Sequence, residues 1–479
     1  MNAYYESRWS GCRSEVVRPV RSPFGREVID TVPVCNEETV DLAVRHLFLE
    51  RTRMEEFTGD RMGPVFQRAG AAMRERSEAL AALITREQGK PLAESREEVA
   101  VAASLVETFS QEAYRLGGQF QPLAVEARVG DRFGFTRQRP LGVQAILSAN
   151  TFPLLLPTML AVPAWAAGNV VVLKPASATP FSALRMVEIF LQAGLPPTAV
   201  ACLTGPGSIT GQAVCRHPLV DQVSCYGSMD TIRAVRSAIG LIPLQFHHGG
   251  MTVCLIAEDA DVDLAVSKIV AQGFENAGQT AISAGAVYAA ERVHDEVVDR
   301  LAAALGALPC GDPAAPGTRI GPLTEESRAV RASRMVGDWL ASGARLVCGN
   351  GVPEGNLLVP TLVAGVPGDY PDLFPPSSGR EFLAPIMSVS RIAGPLEGVA
   401  SCLDRRSQPA VSLFSRDLER AAALARCLPV FNVHVNGVPT WRDGVIFTSQ
   451  SASRLGRRQS EHRVRDVSSL QDIVFHPAA

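Results

Sequence analysis

The sequence predicts an α/β protein built on two doubly wound parallel sheets, and three observations carry that reading. Its 479 residues, 46% hydrophobic and 20% charged, suffice for two or three domains with sizeable cores. From Leu141 the chain alternates strand-length apolar runs with helical segments, and a second alternation begins after Gly249-Gly250. Strands separated by helices of this kind pair in parallel through crossover connections.

In order along the chain, Arg18 to Val34 reads as short strands broken at Ser22-Pro23-Phe24-Gly25, and a helix starts at Glu37. Long helices are expected over Pro64 to Gln88 and Ala93 to Leu116, rich in Ala, Leu and Glu and punctuated by Glu87-Gln88-Gly89-Lys90-Pro91. Gly117 to Arg139 lacks periodicity and suits an extended arm. The first sheet draws on Leu141 to Leu147, Val170 to Leu173 and Ala199 to Leu203, with a helix over Phe181 to Ala193. The second starts with the strand Val253 to Ile256 and the helix Val262 to Gln272. Gly311-Asp312-Pro313, Ile320-Gly321-Pro322-Leu323 and a helix from Glu326 to Ser342 continue it, and Leu455 to Phe475 reads as a tail.

A net charge of -3 argues against a nucleic-acid surface or a polybasic membrane footprint, so small molecules are the expected partners. The ten cysteines are scattered singly, with no C-x-x-C pair and no His/Cys cluster at metal-ligand spacing; reduced thiols and no metal are expected. Met1 to Arg18 has no apolar core of signal-peptide length and no apolar run reaches membrane-spanning length, which makes the cytoplasm the expected location.

The stretch from Phe274 to Ala284 reads Phe-Glu-Asn-Ala-Gly-Gln-Thr-Ala-Ile-Ser-Ala. Further blocks follow the same order as in one known family. They include Arg139-Pro140-Leu141-Gly142-Val143, Phe152-Pro153-Leu154, the run from Ala166 to Pro175, Gly205-Pro206-Gly207 with Gly211, Tyr226-Gly227-Ser228, and Glu381-Phe382 with Pro385. Together they cover nearly the whole chain, which resembles the aldehyde dehydrogenase superfamily. The resemblance implies a dinucleotide-binding domain over 1–120 and 141–250, a catalytic-type domain over 251–450, and a small β oligomerisation arm from 121–140 and 451–479. It also implies a homodimer or homotetramer acting on an aldehyde-like small molecule.

In that family a thiolate attacks the aldehyde, hydride passes to a nicotinamide, a glutamate-activated water releases the acid, and an asparagine helps to hold the oxyanion. The resemblance places Ala281 at the thiol position, and a methyl group cannot attack a carbonyl carbon. Ser283 lies two residues on, about 6.6 Å away at a rise of about 3.3 Å per residue, too far to replace the thiol. His247 of His247-His248-Gly249-Gly250 stands at the general-base position. Thr151 stands at the asparagine position with Asn150 one residue early, facing the opposite way in an extended segment.

For the cofactor, Lys174 falls where the family's lysine meets the adenosine ribose, and Ser177 where NAD-preferring members carry a carboxylate. Serine leaves room for a 2′-phosphate, so NADP is favoured over NAD. Gly205, Gly207 and Gly211 suit a close strand-turn-helix approach, Gly227 and Ser228 a pyrophosphate contact at a helix N-terminus, and Glu381 the nicotinamide ribose. Departures recur: Ile232 replaces a glycine near the phosphates and is expected to crowd them, Ala384 replaces another, and Ile446-Phe447-Thr448-Ser449 lacks the family's proline and glycines. A single exchange at Ala281 would not account for all of these, so the chain reads as a diverged member. It is then an NAD(P)-linked oxidoreductase of an aldehyde, hydrate or imine without a thioester, or else a repurposed or non-catalytic protein of the same fold.

Overall fold

The computed structural model describes residues 1–57, 59–115, 117–118, 120–122, 133–247, 251–366, 383–394, 397–398, 410–428, 430, 432–442 and 463–476. The chain opens with β1 (Ala3–Tyr5) and β2 (Arg8–Ser10), a hairpin of β3 (Val17–Arg21) and β4 (Val28–Pro33), and the helices α1 (Glu37–Glu55), α2 (Met62–Glu75), α3 (Ser77–Gln88) and α4 (Leu92–Glu112). The helix expected from Pro64 to Gln88 is therefore two, broken at Arg76 where ψ turns to 17°. Gly89 closes α3 with φ at 87°, the left-handed end that glycine permits.

Short strands β5 (Phe120–Pro122) and β6 (Phe133–Pro140) precede the first alternation. It runs β7 (Val143–Leu147), α5 (Leu155–Ala166), β8 (Val170–Lys174), α6 (Phe181–Gln192), β9 (Val200–Cys202), α7 (Gln212–Arg216), β10 (Gln222–Tyr226), α8 (Met229–Ile239) and β11 (Leu244–His247). The sheet order is β11-β10-β7-β8-β9-β1-β2, parallel from β11 to β9, with β1 and β2 added antiparallel at the edge. Every residue of β7, β8 and β10 is buried, because helices cover both faces of a parallel sheet.

The second alternation starts with β12 (Thr252–Ile256), α9 (Val262–Gly273), β13 (Ala284–Ala290), α10 (Glu291–Gly306) and α11 (Glu326–Ala341). It continues with β14 (Arg345–Cys348), β15 (Thr361–Ala364), β16 (Ile386–Ile392), β17 (Ala410–Phe414) and β18 (Asn432–Val435). Its order is β14-β15-β16-β13-β12-β17-β18, and all pairs but β14 with β15 are parallel. The tail supplies β19 (Ser468–Phe475), which pairs antiparallel along the whole of β6; with β5 they form a separate three-stranded sheet.

Two buried glutamates fix helix positions. Glu87 accepts the Phe181 and Ser182 N–H groups at the start of α6, both at 2.8 Å, and Glu98 accepts the Leu154 and Leu155 N–H groups at the start of α5 at 2.9 and 3.0 Å. Both supply the N-terminal acceptor that Pro180 and Leu154, the residues preceding those helices, lack. Asn169 does similar work between layers: its amide donates to Ala164 O and Val467 O and its oxygen accepts from Gly142 N.

The cysteine expectation needs one correction. Cys12 and Cys35 are joined as a disulfide, with Cα atoms 5.2 Å apart, because the hairpin between them folds back through Val34 N–H to Val16 O at 2.8 Å. Seven other described cysteines are free thiols. Among the described residues, no helix is long and apolar enough to cross a membrane.

Candidate active site

In the first sheet the chain runs outward from β7 to β8 and β9 on one side and to β10 and β11 on the other. That reversal between β7 and β10 opens a crevice at the carboxyl ends of the strands, the place where doubly wound sheets bind ligands. A cleft of about 340 Å³ lies there, walled by Ser148 to Thr151 after β7, Ala176 after β8, and Tyr226, Gly227, Ser228, Asp230 and Thr231 after β10. Its opposite wall comes from the second unit: Ala281, Glu325, Arg328, Arg331, Leu383 and Ala384.

At one end, Ser228 caps α8 by accepting the Thr231 N–H at 3.3 Å, which points the helix N-terminus at the cleft. Such an end carries partial positive charge and suits a phosphate. Asp230, also on this wall, is ion-paired to Arg233 at 3.1 Å. Lys174 is buried; its Nζ donates to Pro175 O at 2.9 Å and to Ser177 Oγ at 3.5 Å, while Ser177 Oγ donates to Gly205 O at 2.8 Å. Burial pulls the Lys174 ammonium down to about 8. Gly205 has φ at +140°, and a Cβ there would meet Thr210 Oγ1 at 2.1 Å, so the turn requires glycine. Gly207 faces open space, and Gly211 lies beneath the Lys174 stem, where a Cβ would come 3.8 Å from Cδ. Ile232 does not crowd this end: one turn after the Ser228 cap, it is fully buried in the core.

At the other end sits Ala281, displayed by a strained loop. Asn276, Ala277 and Gly278 are consecutive left-handed residues with φ of 51°, 53° and 69°. Three contacts hold them there. Asn276 N–H donates to Glu94 Oε2 at 2.7 Å, Asn276 Nδ2 donates to Thr151 O at 3.1 Å, and Gln279 Oε1 accepts Thr324 N–H at 3.0 Å. A Cβ on Gly278 would lie 2.3 Å from Ala384 O. Gly278→Ala is therefore expected to lower stability by about 1–3 kcal/mol, read as an earlier urea midpoint, since a backbone oxygen has nowhere to retreat.

The structure places Thr151 and Asn150 both on the cleft wall with Ala281, although Asn150 is expected to face the opposite way; residues 150–152 bend rather than extend, and Asn150 is already engaged. Arg328 Nη2 donates to Asn150 Oδ1 at 2.9 Å, and Asn150 Nδ2 donates to Glu325 Oε1 at 3.4 Å. Ser283 is a fold hydroxyl, donating to Gly273 O at 2.6 Å. His247 is 2% exposed and lies flat against Tyr226, ring centroids 5.6 Å apart at 4°, so Tyr226 rather than His247 faces the cleft. Among the described residues, no cysteine or histidine lines it. Cys225, one residue from Tyr226, is fully buried and its thiol is pushed up to about 12. Glu381, His248-Gly249-Gly250 and Ile446-Phe447-Thr448-Ser449 lie outside the described residues.

Sequence reading did not single out Glu325, Arg328 and Arg331. Their spacing of three, from Glu325 just before α11 into its first two turns, was the available signal, since it brings all three to one side of the helix start.

A sequence model of the aldehyde dehydrogenase family matches residues 9–473. The NADP(+) succinate-semialdehyde dehydrogenase of Escherichia coli K12 is 30% identical over 473 residues, covering 98% of this chain and 96% of that protein. A glutarate-semialdehyde dehydrogenase of Pseudomonas putida KT2440 is 30% identical over 475 residues, covering 99% and 97%. Among solved structures, a succinate-semialdehyde dehydrogenase from Burkholderia pseudomallei superposes with a TM-score of 0.92 at 28% identity, covering 99% of this chain and 97% of that one.

Proposed function

Because the chain belongs to the aldehyde dehydrogenase family, we propose that it is an NADP-linked oxidoreductase that oxidises an aldehyde-level substrate, as its hydrate or imine, without forming an enzyme thioester. The observation that carries this reading is the joining, in one cleft, of a phosphate-suited helix end to a reaction floor whose central residue is Ala281, with the buried Lys174 and Ser177 next to the cleft-lining Ala176. The residues fit a dinucleotide. Lys174 spends two of its three hydrogens on Pro175 and Ser177, and Ser177 carries no charge to repel a 2′-phosphate. The NADP(+) in the name of the Escherichia coli relative supports the same choice. Bound NADP would supply the hydride acceptor, with the nicotinamide end toward Leu383, Ala384 and Ala281 and, as carried over from the family, Glu381.

A hydrate already carries the second oxygen of the product acid, so hydride loss and one proton loss complete its oxidation with no covalent step on the protein. Thr151 and the Arg328 guanidinium are positioned to hold the substrate oxygens, while Asn150 orients Arg328. The proton would pass to water in the cleft, because His247, at the family's general-base position, is buried against the face of the Tyr226 ring. We assign 1–120 with 141–250 to dinucleotide binding and 251–450 to the catalytic unit. The arm of 121–140 and 451–479 would join subunits of a homodimer or homotetramer, which the exposed Phe133, Phe135 and Phe475 on β6 and β19 favour.

NADP is expected to raise the thermal unfolding midpoint, and more so than NAD. Lys174→Met should weaken NADP by roughly 10–100-fold, the worth of a charge-assisted contact of about 1.5–3 kcal/mol. The Lys174 cation is lost as pH rises through about 8, so NADP affinity should fall above that pH in the unaltered chain and stay flat in Lys174→Met. An unchanged midpoint with either nucleotide would sink the reading.

A further inference from the structure

The β3–β4 hairpin is packed against the turn that follows β9. Thr204 O accepts the Cys35 N–H at 2.9 Å, Thr204 Oγ1 donates to Pro33 O at 2.5 Å, and Thr210 Oγ1 donates to Cys35 O at 2.6 Å. These bonds join the end of β4 to both sides of Gly205, whose carbonyl oxygen takes the Ser177 hydroxyl, which in turn accepts from Lys174. The end of the hairpin and the Lys174 group are therefore one bonded unit, and the Cys12–Cys35 disulfide pins that end.

Strand register settles which hairpin residue turns toward this unit. Arg18 pairs with Val32 across the hairpin and stands two residues before Val20 on β3. Residues opposite one another in a ladder share a face, as do residues two apart on a strand, and Val20 and Val32 are 3% and 2% exposed members of the main core. Arg18 therefore leaves the hairpin on its inward face, yet it is exposed. Its charge is felt at Lys174, where it adds to burial in pulling the ammonium down. The other two arginines of the hairpin are engaged, Arg21 with Arg26 O at 3.0 Å and Arg26 with Glu326 at 3.1 Å. Among the described residues, the Arg18 guanidinium makes neither an ion pair nor a hydrogen bond.

Two cations held near each other favour an anion between them, and a phosphate monoester suits this pair: the lysine offers a point charge and the guanidinium a planar fork of donors. We propose that Arg18 is a specificity-determining residue that, together with Lys174, binds the 2′-phosphate of NADP. The N-terminal hairpin then contributes to a site whose other contacts come from the ends of β8, β9 and β10. This rests on the nucleotide-binding reading above, but not on the oxidation assigned to the Ala281 end of the cleft. NAD carries a hydroxyl where NADP carries the phosphate, so it gains nothing from Arg18.

The experiment is thermal unfolding titrated with NADP, with NAD and with adenosine 2′,5′-bisphosphate, which presents the phosphate without the nicotinamide. It compares the unaltered chain with Arg18→Gln, Arg18→Lys and, as the same loss of charge elsewhere on the hairpin, Arg21→Gln. Arg18→Gln is expected to weaken NADP and the bisphosphate by about tenfold or more and to leave NAD unchanged, with Arg18→Lys between it and the unaltered chain. Should Arg18→Gln fail to fold, Arg18→Lys carries the test, with NADP weakened and NAD not. Unchanged NADP binding in the Arg18 variants, an equal loss for NADP and NAD, or an equal loss in Arg21→Gln overturns the proposal and leaves the nucleotide reading standing. No effect of NADP on the unaltered chain removes both.

Discussion

Glu98→Ala is expected to lower unfolding free energy by about 3–5 kcal/mol, the loss typical of removing one partner of a buried ion pair. Glu98 and Lys90 are ion-paired at 0% and 1% side-chain exposure, and Lys90 Nζ also lies 3.8 Å from the centre of the Phe152 ring. Without the carboxylate, Lys90 is left as a buried charge, and the Leu154 and Leu155 N–H groups lose the acceptor that starts α5. Glu98→Gln should cost less, because an amide oxygen still accepts there. The site should feel the change as well: Thr151 and Phe152 lie just ahead of Pro153 and the freed N–H groups, so kcat should fall in the fraction that remains folded. Urea unfolding of the unaltered chain, Glu98→Ala and Glu98→Gln checks the order. Equal midpoints for all three would mean that the pair contributes nothing.

That pair also marks where sequence reading stops. Parallel strands announce themselves as unbroken apolar runs, so Val143–Leu147, Val170–Lys174 and Thr252–Ile256 lie within two residues of their expected bounds. The helix Leu155–Ala166 was not assigned, because all twelve of its residues are buried and no polar face gives it a period. The break at Arg76 interrupts a stretch whose composition favours helix throughout. At the site, Lys174, Ser177 and Gly205 were legible as parts of blocks, and they form one bonded group. Arg328 was not, because its partner Asn150 is 178 positions away and only tertiary packing makes them neighbours. Ile232 illustrates the opposite error, since a block comparison registers the missing glycine but not the inward turn of the side chain.

Under the proposed thiol-free mechanism, Ala281→Cys is expected to add a covalent acyl adduct, seen as a mass increase after mixing with NADP and an aldehyde. A thiol there would share the cleft with the Arg328 guanidinium, and a nearby cation favours the thiolate. Single-turnover NADPH formation should rise by about 10²–10⁴-fold, short of the millionfold dependence that an enzyme evolved around its nucleophile can show. The shortfall follows from geometry, since the Asn150 amide is held by Glu325 and is not free to meet an oxyanion. Release should be slower still. Glu325 is the one glutamate lining the cleft among the described residues; it serves Asn150, and no histidine stands beside it to activate a water. The expected trace is therefore a burst of about one NADPH per subunit followed by a stall, with the adduct persisting. An acyl adduct on the unaltered chain would remove the thiol-free mechanism. An inert Ala281→Cys that still binds NADP would instead show that the aldehyde does not react over this floor.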